Sequence, residues 1–230
     1  MKVKILYVSF PRTGTVWTEL VLKSYFDKTG FNYQWDGHHD VRGEFPMKAL
    51  GDRLPVMIID SFYHLILYKY RTDIKRVAFS NLERIISIPS NSRCNTKDII
   101  KNVIEAYSAH SGKWGRISDD LNRAIKINHE LMVERREEYL FQILKQMGGR
   151  NQNINTNAIH ESFKETTKEV VAKEHKNRSD SNGVLNLYDK DGYEKRYDDF
   201  LDEYGDWIDS FMIDLFFGRN LYRPEAKSYF

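Results

Sequence analysis

The sequence predicts an α/β fold with a parallel sheet, in which short buried strands alternate with helices. An apolar run, residues 5–8, passes through a turn into a segment whose apolar residues have helical spacing. Further apolar runs of strand length follow, and helical patterns come after them. This alternation is typical of parallel strands joined by crossover helices. With 230 residues, 41% of them hydrophobic, the chain can bury a sizeable core as a single domain, residues 1–230.

The first predicted helix begins at Thr15, is apolar around much of its circumference and ends near Gly30. Residues 31–35 then alternate apolar and polar side chains as a half-exposed strand does, and residues 36–40 close it. Two adjacent histidines, His38 and His39, are therefore expected where a strand ends.

The middle of the chain contains two apolar runs of strand length, residues 55–59 and 65–68. The second is interpreted as a strand, although the helical spacing of Phe62, Leu65, Ile66 and Tyr70 leaves a helix possible. After it, Asp73 is predicted to cap a helix that Pro89 stops, which makes a second strand and helix unit.

Later elements have clear punctuation. Asn95 is predicted to cap a helix, residues 124–127 to form a short strand, and residues 139–147 to form a helix that Gly148 stops. The polar residues 173–197 are predicted to be a loop that orders around a ligand, and a final helix carries apolar residues from 200 to 215.

Composition excludes several classes of function. A net charge of +2 offers no basis for bulk nucleic-acid binding, and no apolar run approaches the roughly 18 residues of a membrane span. The single cysteine, Cys94, cannot form an internal disulfide and fits a reducing compartment, so a cytoplasmic protein is expected. No Cys and His cluster has metal-ligand spacing, so no metal is expected.

The turn between the first strand and helix, Ser-Phe-Pro-Arg-Thr-Gly-Thr at residues 9–15, carries the clearest chemical signal. A helix that begins there offers unpaired backbone N–H groups and the positive end of its dipole, which suit a phosphate or sulfate. Arg12 adds a cation, and Thr13 and Thr15 add hydroxyl donors. The Walker pattern is absent, because Ser9 replaces its first glycine and Thr15 its lysine, which argues against an ordinary ATPase or GTPase.

The same stretch, Ser9-Phe10-Pro11-Arg12-Thr13-Gly14-Thr15-Val16-Trp17, closely resembles the 5′-phosphosulfate loop of cytosolic-type sulfotransferases, [ST]-[YFW]-P-[KR]-[ST]-G-[TN]-x-[WF]. In that family the loop binds 3′-phosphoadenosine 5′-phosphosulfate (PAPS). The resemblance implies a divergent member of the family, with a three-layer fold like that of P-loop kinases, which moves a sulfuryl group from PAPS to an acceptor hydroxyl or amine without a metal. It assigns donor binding to these loop residues: Arg12, Thr13, Gly14, Thr15, Val16 and Trp17. Arg12 would also stabilise charge on the leaving phosphate.

The family resemblance also suggests a base. In many members a strand ends in a His-Asp pair whose histidine removes the acceptor's proton, and His39-Asp40 stands where that pair would be. A neutral imidazole that titrates near pH 7 suits this role. His38 is the rival candidate, and two solvated loop histidines with no role are the remaining alternative.

A second resemblance concerns the donor's 3′-phosphate. The family has an arginine after a strand and a serine eight residues later, and Arg71 and Ser80 match these types at a spacing of nine, without the family's proline. One extra residue in the turn would preserve both roles. The pair Arg84 and Ser92 has the family spacing and remains a rival, although Pro89 interrupts the helix that should follow.

Weaker matches lie in the last third of the chain. Phe163, with Ser162 before it, resembles a family residue near the adenine, where Trp17 would be another neighbour. Lys190 and Gly192 lie where the family has a loop that closes on the 3′-phosphate.

Three functions therefore stay open. The first is sulfuryl transfer to a small-molecule, glycan or peptide acceptor. The second is a turnover-deficient nucleotide-binding module derived from the sulfotransferase fold, and the third is a kinase with a non-standard loop. The sequence carries no signal for the oligomeric state.

Overall fold

A parallel sheet of four strands forms the centre of the computed structural model, which describes residues 2–39, 62–86, 95–148, 153–167, 169–171, 173–174 and 190–218. The strands are β1 (Val3–Ser9), β2 (Tyr33–His39), β3 (Leu65–Tyr70) and β4 (Ala124–Asn128). Their order is β2-β1-β3-β4, and every neighbouring pair is parallel. The predicted α/β fold with a central parallel sheet is confirmed.

Helices connect and cover these strands. Those with defined bounds are α1 (Thr15–Lys28), α2 (Ile74–Ile86), α3 (Thr96–Asp120), α4 (His129–Glu134), α5 (Arg136–Gly148), α6 (Thr156–Glu165) and α7 (Lys190–Ile213). A short π-helical segment, Asp214–Gly218, follows α7. Two predicted caps are confirmed, because Asp73 accepts a hydrogen bond from the Arg76 backbone N–H at 2.9 Å and Asn95 accepts one from the Lys97 backbone N–H at 2.9 Å.

Side chains alternate between the two faces of the sheet, as the period of a strand requires. One face packs against α1, α4, α5 and α6 through Ile5, Tyr7, Leu65, Leu67, Ile125 and Ile127. The other packs against α3 through Leu6, Val8, Ile66 and Tyr68, with Trp114 and Ile117 on the helix side. A further apolar cluster joins α2, α3 and α7. Helices therefore cover both faces, and the predicted three-layer arrangement is confirmed.

Two local predictions are settled or corrected, and a third falls outside the residues that the structure describes. Residues 65–70 form a strand, so the helical alternative is wrong. The second strand was expected at residues 31–35 but occupies Tyr33–His39, because the Phe31 N–H still completes the end of α1 by donating to the Phe26 carbonyl at 2.9 Å. The predicted strand at residues 55–59 lies outside the described residues.

The prediction of a loop over residues 173–197 is wrong in both parts that the structure describes, since residues 173–174 are helical and α7 begins at Lys190. Polarity misled it. Residues 190–197 are mostly charged, but Tyr193 and Tyr197 lie one helical turn apart and pack on Phe79 of α2 with ring centroids 5.2 and 5.4 Å away. Those two contacts give the helix a buried side.

Candidate functional site

The candidate residues converge at the carboxyl edge of the sheet. From β1 the chain crosses to β2 on one side, whereas β3 and β4 lie on the other side, so the strand order reverses between β1 and β3. In open α/β sheets such a reversal creates a crevice outside the carboxyl ends of the strands, where ligands bind. Three candidates lie at this edge, each directly after a strand: the loop that follows β1, Arg71 after β3 and His129 after β4.

The loop after β1 has an unusual backbone. Arg12 has a φ of 65° and Gly14 a φ of 74°, both in the left-handed region. For Arg12 this conformation is uncommon and carries strain of the kind that concentrates at ligand-binding sites. Gly14 is also the N-cap of α1, which begins without a side-chain cap. The N–H groups of the first turn of α1 therefore depend on solvent or on an anionic ligand.

Several side chains fix this loop from within. Thr13 is fully buried, and its hydroxyl donates to the Phe10 carbonyl at 2.7 Å. The hydroxyl proton that was expected to bind an anion is therefore used in a hydrogen bond within the turn. Thr15 shares a hydrogen bond of 2.8 Å with the Ser9 hydroxyl. The Asn81 amide on α2 donates to the Pro11 carbonyl at 3.2 Å. These hydrogen bonds hold the loop in one conformation, so it is preorganised for a ligand.

Trp17 and Phe163, both predicted to lie near an adenine, are neighbours in the structure although they are distant in sequence. Their ring centroids are 5.9 Å apart. Phe163 is only 5% exposed and belongs to the core that α1 and α6 share, whereas Trp17 is partly exposed. Val16 is also buried, at 4% exposed, so its backbone N–H is the part of it that can meet a ligand. Trp17 thus offers the accessible aromatic face, which Phe163 supports.

His39 is the last residue of β2, and its backbone lies opposite Ser9, the residue at which the loop begins. His38 lies opposite Val8. The side chains of both histidines and all of Asp40 lie outside the described part of the structure. The backbone alone brings position 39 to the same edge of the sheet as the loop.

Arg71 directly follows β3, and its side chain is held by a carboxylate. Arg71 Nε donates to Glu130 Oε1 at 2.9 Å, and the Thr72 backbone N–H donates to Glu130 Oε2 at 3.1 Å. Burial alone would raise the pKa of Glu130, but hydrogen bonds from the Thr72 and Glu130 amides and the charge of Arg71 outweigh it, so that pKa is lowered. Glu130 is therefore ionised at neutral pH and balances Arg71.

Ser80, the predicted partner of Arg71, lies on α2 and shares a hydrogen bond of 2.6 Å with the Tyr193 hydroxyl of α7. Burial raises the pKa of Tyr193. The hydrogen bond with Ser80 and the charges of Arg71 and Arg76 oppose that rise, so these three residues lie close enough to act on the Tyr193 hydroxyl. Arg76 also forms a two-pronged ion pair with Glu194, with N to O distances of 2.9 and 3.1 Å. These contacts join α2 to the start of α7.

The remaining candidates from the sequence lie on helices or outside the described residues. Lys190 and Gly192, which were expected in a closing loop, lie in the first turn of α7 instead, and the side chain of Lys190 lies outside the described part. The rival Arg84 is exposed in the last turn of α2 and follows no strand, whereas Ser92 falls outside the described residues.

Two further residues, which the sequence analysis did not select, complete the site. Lys69 is fully buried near the end of β3, donates to the Thr18 hydroxyl of α1, and lies 3.2 Å from His129 Nδ1. Burial, followed by the charge of Arg71, lowers the pKa of Lys69 well below its ordinary value. Burial, followed by Lys69 and two arginines, lowers the pKa of His129 to about 2. Both nitrogens therefore disfavour a positive charge.

A sequence signal for both residues exists. Lys69 interrupts an apolar run, where an ammonium group is out of place, and His129 lies two residues after the strand predicted at residues 124–127. Because the carboxyl ends of parallel strands share one edge, the first polar residue after each strand is a candidate for the same site. No group of His, Cys, Asp and Glu within the described residues has the arrangement of a metal site. No described helix is long and apolar enough to cross a membrane.

Comparison with solved structures finds the crystal structure of the mouse sulfotransferase SULT7A1 complexed with PAP. The TM-score is 0.55, the sequence identity is 14%, and the match covers 96% of this chain and 90% of that chain. No protein-family model and no curated protein sequence matches the chain. At this identity the similarity shows the fold alone, which resembles that of the mouse sulfotransferase.

Proposed function

We propose that the protein is a sulfotransferase that moves a sulfuryl group from PAPS to an acceptor hydroxyl or amine. One observation carries the proposal. At the strand-order reversal of a sulfotransferase fold, the loop after β1 holds Arg12 and Gly14 in left-handed conformations and leads into an uncapped helix. That geometry suits a phosphosulfate group. The mouse neighbour is complexed with PAP, adenosine 3′,5′-bisphosphate, which is the product that PAPS would leave.

The chemistry follows from where charge develops. An acceptor oxygen or nitrogen attacks sulfur in line, the bond from sulfur to the bridging oxygen breaks, and the bisphosphate leaves. Negative charge grows on the bridging oxygen and the 5′-phosphate as that bond breaks. The Arg12 guanidinium and the N–H groups at the start of α1 would stabilise this charge. His39 would accept the acceptor's proton from its position beside the loop.

Arg71 and Ser80 would hold the 3′-phosphate. Arg71 contacts Glu130 through Nε. Arginine commonly binds a phosphate through two N–H groups at once, and the two terminal nitrogens of Arg71 carry such groups. Tyr193, which is bonded to the Ser80 hydroxyl, would add a phenolic donor to the same anion. The start of α7, which includes Gly192, would then border the nucleotide.

The proposal names the acceptor by its chemical class. A small molecule, a glycan or a peptide that presents a hydroxyl or amine would suit the reaction, and the proposed setting is the cytoplasm. No metal is needed in this scheme, since arginine and backbone amides carry the stabilising charge.

Arg12→Ala tests the donor site. Loss of a charge-assisted contact worth about 1.5–3 kcal/mol should weaken binding of adenosine 3′,5′-bisphosphate roughly tenfold or more. Calorimetric titration measures this affinity, and Arg12→Lys is the matched control, because it keeps a cation on the same left-handed backbone. A folded Arg12→Ala protein with wild-type affinity would contradict the assignment of the loop.

Arg71→Ala tests the 3′-phosphate site. We expect the variant to lose affinity for PAPS much more than for adenosine 5′-phosphosulfate, which lacks the 3′-phosphate, so that discrimination between the two donors collapses. Competition titrations against both donors measure the ratio. Arg84→Ala is the control, because Arg84 is exposed on α2. If Arg84→Ala abolished the discrimination and Arg71→Ala did not, the rival assignment would be correct.

A second candidate function is a nucleotide-binding module without turnover. The observation that favours it is that Lys190 and Gly192, which were expected in a loop that closes on the donor, lie in the first turn of α7 instead. The two functions differ in product. Incubation with PAPS and a panel of phenols, amines, sugars and tyrosine peptides, followed by mass spectrometry, should detect a sulfated product for the enzyme. Bisphosphate binding without any sulfated product would favour the module.

A further inference from the structure

Lys69 is a buried lysine that the proposed transfer reaction does not use. It lies at the position of β3 paired with Ser9, on the face of the sheet that packs against α1, and it is 0% exposed. A lysine removed from water loses the hydration of its ammonium group, which is costly unless a partner replaces it. Its hydrogen bonds in the described part of the chain go to the Thr18 hydroxyl and to His129 Nδ1, and neither partner is an anion.

The Lys69–His129 pair lies directly behind the phosphate-binding loop. The His129 ring packs so closely on Gly14 that a Cβ built on Gly14 would lie 2.7 Å from Nδ1 and closer still to Cε1. Thr18, the other partner of Lys69, belongs to the first turns of α1, and its N–H donates to the Gly14 carbonyl. The pair therefore connects the sheet to the turn on which the phosphosulfate group would sit.

The groups that face this pair leave it short of negative charge. Arg71, after β3, and Arg76, on α2, contribute cations, and among the described residues the carboxylate that acts on the pair is Glu130 of α4. From α1 come the neutral Thr18 hydroxyl and the Trp17 ring, whose centroid is 5.9 Å from Lys69 Nζ. Burial and the arginines lower the pKa values of both Lys69 and His129, while Glu130 alone raises that of Lys69. An anion bound on the loop would reverse this balance, because it acts through a poorly screened interior.

We propose that the Lys69–His129 pair takes up one proton from solvent when the anionic donor binds on the loop, and returns it when the bisphosphate product leaves. The inference rests on the proposed function, because it needs a nucleotide anion at residues 12–15. Lys69 receives the proton, since an amine is intrinsically the stronger base, and the ammonium then donates to His129 Nδ1 and to Thr18. The added cation lies behind the loop, so it strengthens the donor site without contact with the donor.

Proton uptake has a measurable consequence for affinity. If donor binding raises the proton affinity of the pair, protonation must raise the affinity for the donor by the same factor. Between the pKa of the pair in the free protein and its higher value in the complex, affinity should therefore fall as pH rises, by up to about tenfold per pH unit.

Calorimetry with adenosine 3′,5′-bisphosphate tests the inference. Titrations at pH 8 in HEPES and in Tris, which differ in ionisation enthalpy, report the protons exchanged on binding. At that pH the nucleotide phosphates, with second pKa values of about 6, are already ionised. We expect uptake of about one proton by the wild type, because the two coupled nitrogens share a single added charge. Lys69→Met should show no uptake and a flat dependence of affinity on pH.

The control is Lys126→Met, which removes a strand lysine whose side chain is 38% exposed and paired with Asp119. Its proton uptake should equal that of the wild type. If Lys69→Met fails to fold, Lys69→Gln keeps a hydrogen-bonding side chain without a titratable group, and the same loss of uptake is expected.

The possible failures are distinguishable. Bisphosphate binding with equal enthalpies in the two buffers would overturn the inference and leave the proposed function intact. Uptake that persists in Lys69→Met would also overturn it, because the proton would go to another group. A folded wild type that does not bind the bisphosphate at all would reject the proposed function itself.

Discussion

His39→Ala is expected to lower the turnover of sulfuryl transfer by about 10²–10⁴-fold, the usual contribution of a general base. The backbone of His39 ends β2 opposite Ser9, where the loop begins, so the substitution would remove the proposed proton acceptor from the edge of the sheet that carries the loop. Affinity for adenosine 3′,5′-bisphosphate should stay near the wild-type value, because the base acts on the acceptor. Steady-state kinetics and calorimetry on the same preparation measure the two effects separately.

His38→Ala is the matched control, since it removes the adjacent imidazole and should have a much smaller effect on turnover. Equal and small losses from both substitutions would reject the assignment and leave two histidines without a catalytic role. His129 is a poor alternative base, because burial and Lys69 lower its pKa to about 2, far from the pH at which a base is effective. A larger turnover loss in His129→Ala, with donor affinity unchanged, would nevertheless move the role to His129.

The parts of the fold that depend on contiguous residues could be predicted from the sequence. The unit of β1, loop and α1 follows from one apolar run, one turn and one helical pattern, and α2 and α3 begin at the capping residues Asp73 and Asn95 as expected. Each of these signals lies within a few residues of the structure that it specifies. Local spacing is therefore sufficient to place them.

The parts of the site that depend on strand order could not be predicted in this way. Arg71 and Glu130 are 59 residues apart in sequence and Lys69 and His129 are 60 apart, and they meet because β3 and β4 are parallel neighbours. The start of α7 was missed for the same reason, because its helical side is stabilised by Phe79 on a distant helix. Polar composition alone favoured a loop there. Tertiary contacts outweigh such local preferences.

Gly14→Ala is expected to lower the free energy of unfolding by about 2–5 kcal/mol. The left-handed conformation of Gly14, with a φ of 74°, costs a residue with a Cβ about 1–2 kcal/mol. The new methyl group would also collide with the His129 ring, which has little room to move, because Lys69 bonds its Nδ1 and Trp17 packs against it with ring centroids 6.3 Å apart. Overpacking of this kind adds about 1–3 kcal/mol. Urea denaturation monitored by fluorescence measures the loss.

Gly30→Ala separates the two contributions, because Gly30 has a similar φ of 64° but nothing within 4 Å of the position of a Cβ. It should therefore show the conformational cost alone, about 1–2 kcal/mol. The double variant Gly14→Ala, His129→Ala opens the space that the methyl group needs, so the two substitutions should be less destabilising together than the sum of the singles. If Gly14→Ala were no more destabilising than Gly30→Ala, the His129 ring would not be fixed against the loop. The Lys69–His129 pair would then have no rigid connection to the site where the donor is proposed to bind.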